Sequence, residues 1–157
     1  MNWLDVISLE EAKAELVMTG INDRDAEIER LIKTSIEWVE QYTSYRLYER
    51  TETFIAYCSV TELPYYPIEV DSIAYKGVAY ANYTTLQLPL SLKVYTPSQS
   101  VITSTVGYAN RLDIPEPLVS ACYKIITYLF ENKDAYSVGL PIDVQILLNQ
   151  WRRSATI

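Results

Sequence analysis

From Ile28 onwards apolar side chains return three and four positions apart. Ile28, Leu31, Ile32, Ser35, Ile36, Val39 and Tyr42 fall on one stripe, and Arg24, Glu27, Arg30, Lys33, Glu37 and Gln41 fall opposite. This spacing predicts a long amphipathic helix with one buried side, and Asn22 or Asp23 is placed to cap its start. A shorter helix is predicted before it. Ser8-Leu9-Glu10-Glu11 has the spacing of a capping box, Leu9, Ala12, Leu16 and Val17 supply an apolar side, and Thr19-Gly20 offers a left-handed stop. Further on, residues 113–133 read as a helix that is apolar over most of its circumference. Ser120, Lys124, Thr127 and Glu131 collapse onto a narrow polar strip, while Leu118, Ala121, Cys122, Ile125, Ile126, Tyr128, Leu129 and Phe130 surround the rest. Such a helix has to pack against several partners at once. Asp113 is the expected cap, and Pro115 and Pro117 fall in the first turn, where a missing N–H costs little. A last helix follows Gly139-Leu140-Pro141, with Val144, Leu147, Leu148 and Trp151 on one face.

Between the second and third of these helices the pattern changes to β-branched and aromatic residues broken by Pro, Gly and Asn. Residues 51–57, 68–75, 83–88, 92–95 and 101–106 read as strands, punctuated by Lys76-Gly77, Pro89 and Thr96-Pro97-Ser98. Their spacing fits an antiparallel meander. The expected fold is therefore α+β: a helical layer from both ends of the chain, about 8–44 and 113–153, with a β-meander inserted over about 47–108. One domain over residues 1–157 is expected at this length.

Composition narrows the chemistry. With no histidine, His-based triads, His general bases and most imidazole-ligated metal sites are excluded. The two cysteines, Cys58 and Cys122, lie far apart inside apolar patterns and read as buried free thiols, which suits a reducing compartment. The net charge of −7 is concentrated at the front: residues 1–45 carry ten acids against four bases. A body of that sign repels phosphate, so nucleic-acid binding through an electrostatic footprint is not expected. No apolar run is long enough to span a bilayer, and acids stand where a signal peptide has positive charge, so the expectation is a soluble chain with no membrane partner.

The four glycines are isolated, so no phosphate loop forms, and no Cys-x-x-Cys is present. Asp113 with Glu116 and Glu10 with Glu11 are carboxylate pairs, but both sit at helix starts, where acids belong for dipole reasons. No catalytic residue, metal ligand or cofactor site is therefore assigned. Trp38, at the edge of the long helix's stripe, suits either covering the core rim or meeting another subunit. Tyrosines are dense in the strand region, Tyr65 and Tyr66 among them, where sheet packing or a protein contact explains them better than base stacking. Arg152-Arg153 either complements the dipole at the end of the last helix or docks on an acidic partner.

The order of parts carries a resemblance. The long helix ends in Trp38-Val39-Glu40-Gln41-Tyr42-Thr43-Ser44-Tyr45-Arg46. A strand insert follows with Glu62-Leu63-Pro64 and Pro67-Ile68. Val106-Gly107-Tyr108 then leads into Ile114-Pro115-Glu116-Pro117-Leu118 and Tyr128-Leu129-Phe130-Glu131-Asn132-Lys133, and the chain closes on Leu140-Pro141 and Leu147-Leu148-Asn149-Gln150-Trp151-Arg152-Arg153. This succession resembles the head-tail connector (adaptor) family of tailed bacteriophages and prophages, over nearly the whole chain. Two positions depart from that family's pattern: Ser44 stands where glycine is frequent, and Lys133 where arginine is frequent. The first touches the turn after the long helix, the second an ion pair between subunits.

The resemblance implies a non-enzymatic ring subunit, twelve-fold, made in the bacterial host cytoplasm and located in the virion neck. It implies docking on the portal protein after DNA packaging, contact with a tail or stopper protein, and DNA passing through the channel without specific binding. Trp38, Tyr65, Tyr66, Trp151, Arg152 and Arg153 are then the candidate interface residues. The readings from other classes are a small cytoplasmic protein-binding or regulatory module and a His-free carboxylate hydrolase.

Overall fold

The computed structural model describes residues 2–88, 91–132 and 139–152. Its helices are α1 (Trp3–Val6), α2 (Leu9–Glu15), α3 (Asp25–Thr43), α4 (Glu116–Glu131) and α5 (Ile142–Asn149). Between α3 and α4 run β1 (Arg50–Ile55), β2 (Val60–Leu63), β3 (Ile68–Tyr75), β4 (Val78–Ala79), β5 (Thr84–Leu88), β6 (Ser91–Tyr95) and β7 (Val101–Val106). The α+β architecture, with strands inserted between helices from both ends of the chain, matches the sequence expectation.

The helices share one core. Ile28, Leu31, Ile32, Ile36 and Val39 of α3 meet Leu118, Val119, Ala121, Cys122, Ile125, Ile126 and Leu129 of α4, and Val6, Ala12, Val144 and Leu148 close the sides. Thus α4 is buried around most of its girth, as its composition requires. The capping box at Ser8 forms as expected, with Glu11 N–H donating to Ser8 Oγ and Ser8 N–H donating to Glu11 Oε2 at 2.9 Å. Four termini differ from expectation, the first being the start of α3, where Arg24 stands at the N-cap position with no side-chain cap in place of Asn22 or Asp23. The first short helix, α1, is capped by Asn2 and Asp5 through its own box and was not foreseen as a helix. In α2 the stop comes at Val17, whose φ of 56° places it ahead of Gly20, with Met18 N–H donating back to Lys13 O at 2.8 Å. α4 starts after Pro115 with no side-chain cap, since Asp113 is taken up in a 3-10 turn over Arg111–Asp113.

Every strand pairing is antiparallel, but the connectivity is not a single meander. One sheet has the order β1-β7-β3-β4 and the other β2-β6-β5. Only β3-β4 and β5-β6 are sequential hairpins; β7 returns to lie between β1 and β3, pairing Ile55 with Val101 on one side and Ala74 with Val101 on the other. The two sheets enclose a second core of Ala56, Leu63, Ile73, Leu92, Val94 and Ile102. A turn with buried ends and an exposed tip carries the chain from one sheet to the other: Thr96 Oγ1 donates to Ser100 Oγ, Ser100 Oγ donates to Pro97 O, and Gln99 takes a φ of 66°. Cys58 lies in the loop between β1 and β2 and is exposed, which corrects the expectation that both thiols are buried; Cys122 is buried and both are free. None of the described helices is long and apolar enough to cross a membrane.

Candidate functional site

The end of α3 is where the helical layer and the sheets meet, and most of the candidate residues gather there. Ser44 ends the helix in the left-handed conformation, φ 63°, with its N–H donating to Glu40 O at 2.9 Å. The turn that glycine would make more cheaply is therefore made by serine, at the cost that a Cβ brings to this region. The chain then passes Tyr45, which bridges to Tyr66 in a parallel pair, and enters β1.

Below this turn lies a cluster of charges. Glu40 is 4% exposed. Its carboxylate accepts from Arg50 Nη1 at 3.2 Å and Nη2 at 2.7 Å and from Leu47 N–H at 2.9 Å, with Arg46 Nη1 3.6 Å away. Glu52 Oε1 accepts from both Arg46 Nε and Arg50 Nε at 2.9 Å. Burial alone would lower the Arg50 pKa; the hydrogen bond and charge of Glu40 and the hydrogen bond of Glu52 outweigh it and raise it. The two guanidinium groups also cover aromatic faces, Arg46 lying 3.3 Å from the Tyr65 ring centroid and Arg50 4.7 Å from that of Tyr48. A buried carboxylate with this many donors is satisfied as an ion and fixes the register of α3 against β1.

Around the charges stands an aromatic group. Tyr45, 3% exposed, receives Tyr66 edge-on at 5.4 Å and Trp151 edge-on at 5.9 Å. Tyr65 tilts against Phe54 at 5.8 Å. On the outer side, Tyr42 Oη donates to Asn149 Oδ1 at 2.7 Å, and Arg152 stands 5.4 Å above the Tyr42 ring. Trp38, half-buried on the core rim, lines a shallow open depression with Gln41, Tyr42, Gly139 and Leu140. Trp38, Tyr65, Tyr66, Trp151 and Arg152 are thus brought to one end of α3. Trp38, Tyr65, Tyr66 and Trp151 are all half-buried and packed within the chain, while Arg152 is exposed. Arg153 lies outside the described residues, as does Lys133.

The carboxylate pairs considered at the helix starts are otherwise engaged or dispersed. Glu11 accepts from Ser8 and from Arg111 Nη1 at 2.6 Å. Burial would raise its pKa, but the Ser8 hydrogen bonds and the Arg111 guanidinium together hold it below the usual carboxylate range. Asp113 and Glu116 are exposed. Burial pushes the Cys122 thiol far above its ordinary pKa, so it is no nucleophile. Among the described residues no group of three or more Cys, Asp or Glu is placed to hold a metal ion. The Glu40 cluster itself was missed in the sequence, where Glu40 is assigned no partner. The signal that would have found it is the alternation Arg46, Arg50, Glu52 directly after the helix.

No family model matches this sequence, and no curated protein matches it. Solved structures do. A chain of the virion of a native gene transfer agent particle superposes with a TM-score of 0.78 at 17% identity, covering 97% of this chain and 92% of that one. A chain from the neck of an empty particle of that kind, computed with C6 symmetry, gives 0.77 at 17% identity over the same shares. One from the neck of the native particle, computed with C12 symmetry, gives 0.64 at 15% identity over 85% of this chain and 90% of that one. At these identities the likeness is one of fold. It runs nearly end to end.

Proposed function

We propose that this chain is a structural, non-enzymatic subunit of a head-tail connector ring in the neck of a tailed phage or prophage particle. In this reading the whole chain is one connector-like unit. It docks on the portal after DNA packaging, prolongs the DNA channel and hands it to a tail or stopper protein. The observation that carries the proposal is the end-to-end fold likeness to a chain of a particle's virion and neck, with no large insertion on either side.

Three features of the chain support it. Many of its charges are spent on internal struts, the Glu40 cluster foremost, and among the described residues no nucleophile is paired with a base. The acids of the N-terminal half suit a wall past which DNA slides, since like charge opposes adhesion. A ring contact is head-to-tail and needs two different patches on each subunit; the depression around Trp38, Tyr42 and Leu140, with Arg152 beside it, is the candidate for one of them. The test is to mix the purified chain with the portal protein of the same genome and weigh the product by mass photometry. A portal particle heavier by about a dozen subunits is expected. An unchanged portal mass would overturn portal docking.

A further inference from the structure

Strand β5 is exposed along nearly its whole length: Thr84, Thr85, Leu86 and Gln87 are all open to solvent, although successive residues of a strand point to opposite faces. It lies at the margin of the three-stranded sheet and pairs with β6 alone. In an antiparallel ladder the N–H and C=O of every second residue then point away from the partner, and no described residue pairs with that side of β5.

Natural proteins guard such edges with Lys or other charges, Pro, a bulge or a covering segment. Of the other edge strands, β1 carries Arg50 and Glu52, both locked into the Glu40 cluster, β2 carries Glu62, and β4 is only two residues long. By contrast β5 reads Thr-Thr-Leu-Gln-Leu, with no charge, no proline and an unbroken register against β6. Its surroundings carry little charge: within its sheet Lys93 lies across from Leu86 and Glu62 lies beyond, across from Lys93. In a chain of net charge −7, copies repel one another, and close approach is least opposed where acids are fewest. An unguarded edge in that place fits a partner that brings the same net charge.

We propose that β5 is the pairing edge for a second copy of this chain, an edge strand of the neighbouring subunit adding to β5 by backbone hydrogen bonds and carrying the three-stranded sheet across the subunit boundary. This inference rests on the ring reading above and supplies one of its two unlike patches. Affinity in strand addition comes from main-chain hydrogen bonds, with alternate side chains setting register, which is why a run of Thr and Leu suffices. The neighbouring strand is one other than β5, since β5 against β5 generates a two-fold pair instead of a ring.

Leu86→Lys places a guarding charge on an exposed position that the fold does not use. Wild type and variant are compared by mass photometry and sedimentation at rising concentration, alone and with portal, after thermal melts confirm equal stability. Amide hydrogen exchange on the wild type, dilute against assembled, reads the same edge without a mutation. Rings for the wild type, their loss for Leu86→Lys at the same concentrations, and slowed exchange in residues 84–88 on assembly are expected. Equal ring formation by the variant, with 84–88 exchanging as in the monomer, overturns edge pairing and leaves the ring reading standing. A two-fold dimer that Leu86→Lys abolishes keeps pairing between copies but overturns the ring. A wild type that assembles under no condition overturns both.

Discussion

At the scale of single residues, Glu40 decides how the two halves of the molecule are joined. Its carboxylate is held by Arg50, by the Leu47 N–H and by the nearby Arg46. Removing it leaves two guanidinium groups and a backbone donor facing a cavity. Glu40→Ala should therefore cost about 3–5 kcal/mol, the usual penalty for breaking a buried ion pair on one side, read as a fall in the urea midpoint. A loss below about 1 kcal/mol would mean that water reaches the cluster and screens it. The two thiols give a second prediction. Exposed Cys58 should react with a thiol reagent in the native protein, whereas Cys122, enclosed by α3 and α4 and with its pKa raised by burial, should react only on unfolding. Native titration of both, or of neither, would contradict these placements. Neither residue was readable beforehand in its true role. Glu40 sits one position after Val39 on the stripe, and its partners arrive only after the chain reverses at Ser44. Cys58 has strand-like neighbours but falls in the loop just past β1, where burial ends.

At the scale of elements, the helices other than the four-residue α1 were legible because each writes its own burial period into consecutive residues: Ile28 to Val39 on α3 and Leu118 to Leu129 on α4 are buried as their spacing demands. Leu129 is 2% exposed in the core that α4 shares with the other helices. Leu129→Ala should accordingly cost about 2–5 kcal/mol, by lost burial plus the cavity left behind, measured by chemical denaturation. A loss below about 1 kcal/mol would make α4 peripheral, against its position here. Five strands were legible one by one, β3 and β7 to the residue, but the short β2 and β4 were not foreseen and the partners of none were readable. Pairing Ile55 with Val101 joins positions remote in sequence, and nothing in the alternation of either strand says which sheet it enters. The deciding features are the Thr96–Ser100 turn, buried at both ends, and Gly107. Gly107 has a φ of 95°, and a Cβ there would stand 2.1 Å from Tyr48 O, so β7 can end beneath the Tyr48 backbone only with glycine in that place.

At the scale of the whole molecule, the chain combines an acidic helical layer with a charge-poor sheet region, and this division suits a ring that touches itself and lets DNA pass. The free subunit should show no binding to a random DNA duplex in an anisotropy titration, even at low salt. A protein that grips phosphates tightens as salt falls, by roughly 0.9 in log affinity per decade of salt for each phosphate neutralised; steep salt-dependent binding would contradict the passive channel wall. The measurement that tests the account most directly is electron microscopy of the assembled protein, concentrated and in the presence of its portal. The account predicts closed rings in which each subunit meets its neighbours through two different surfaces, stacked on the portal along a common axis. Compact two-fold dimers that ignore the portal would contradict it.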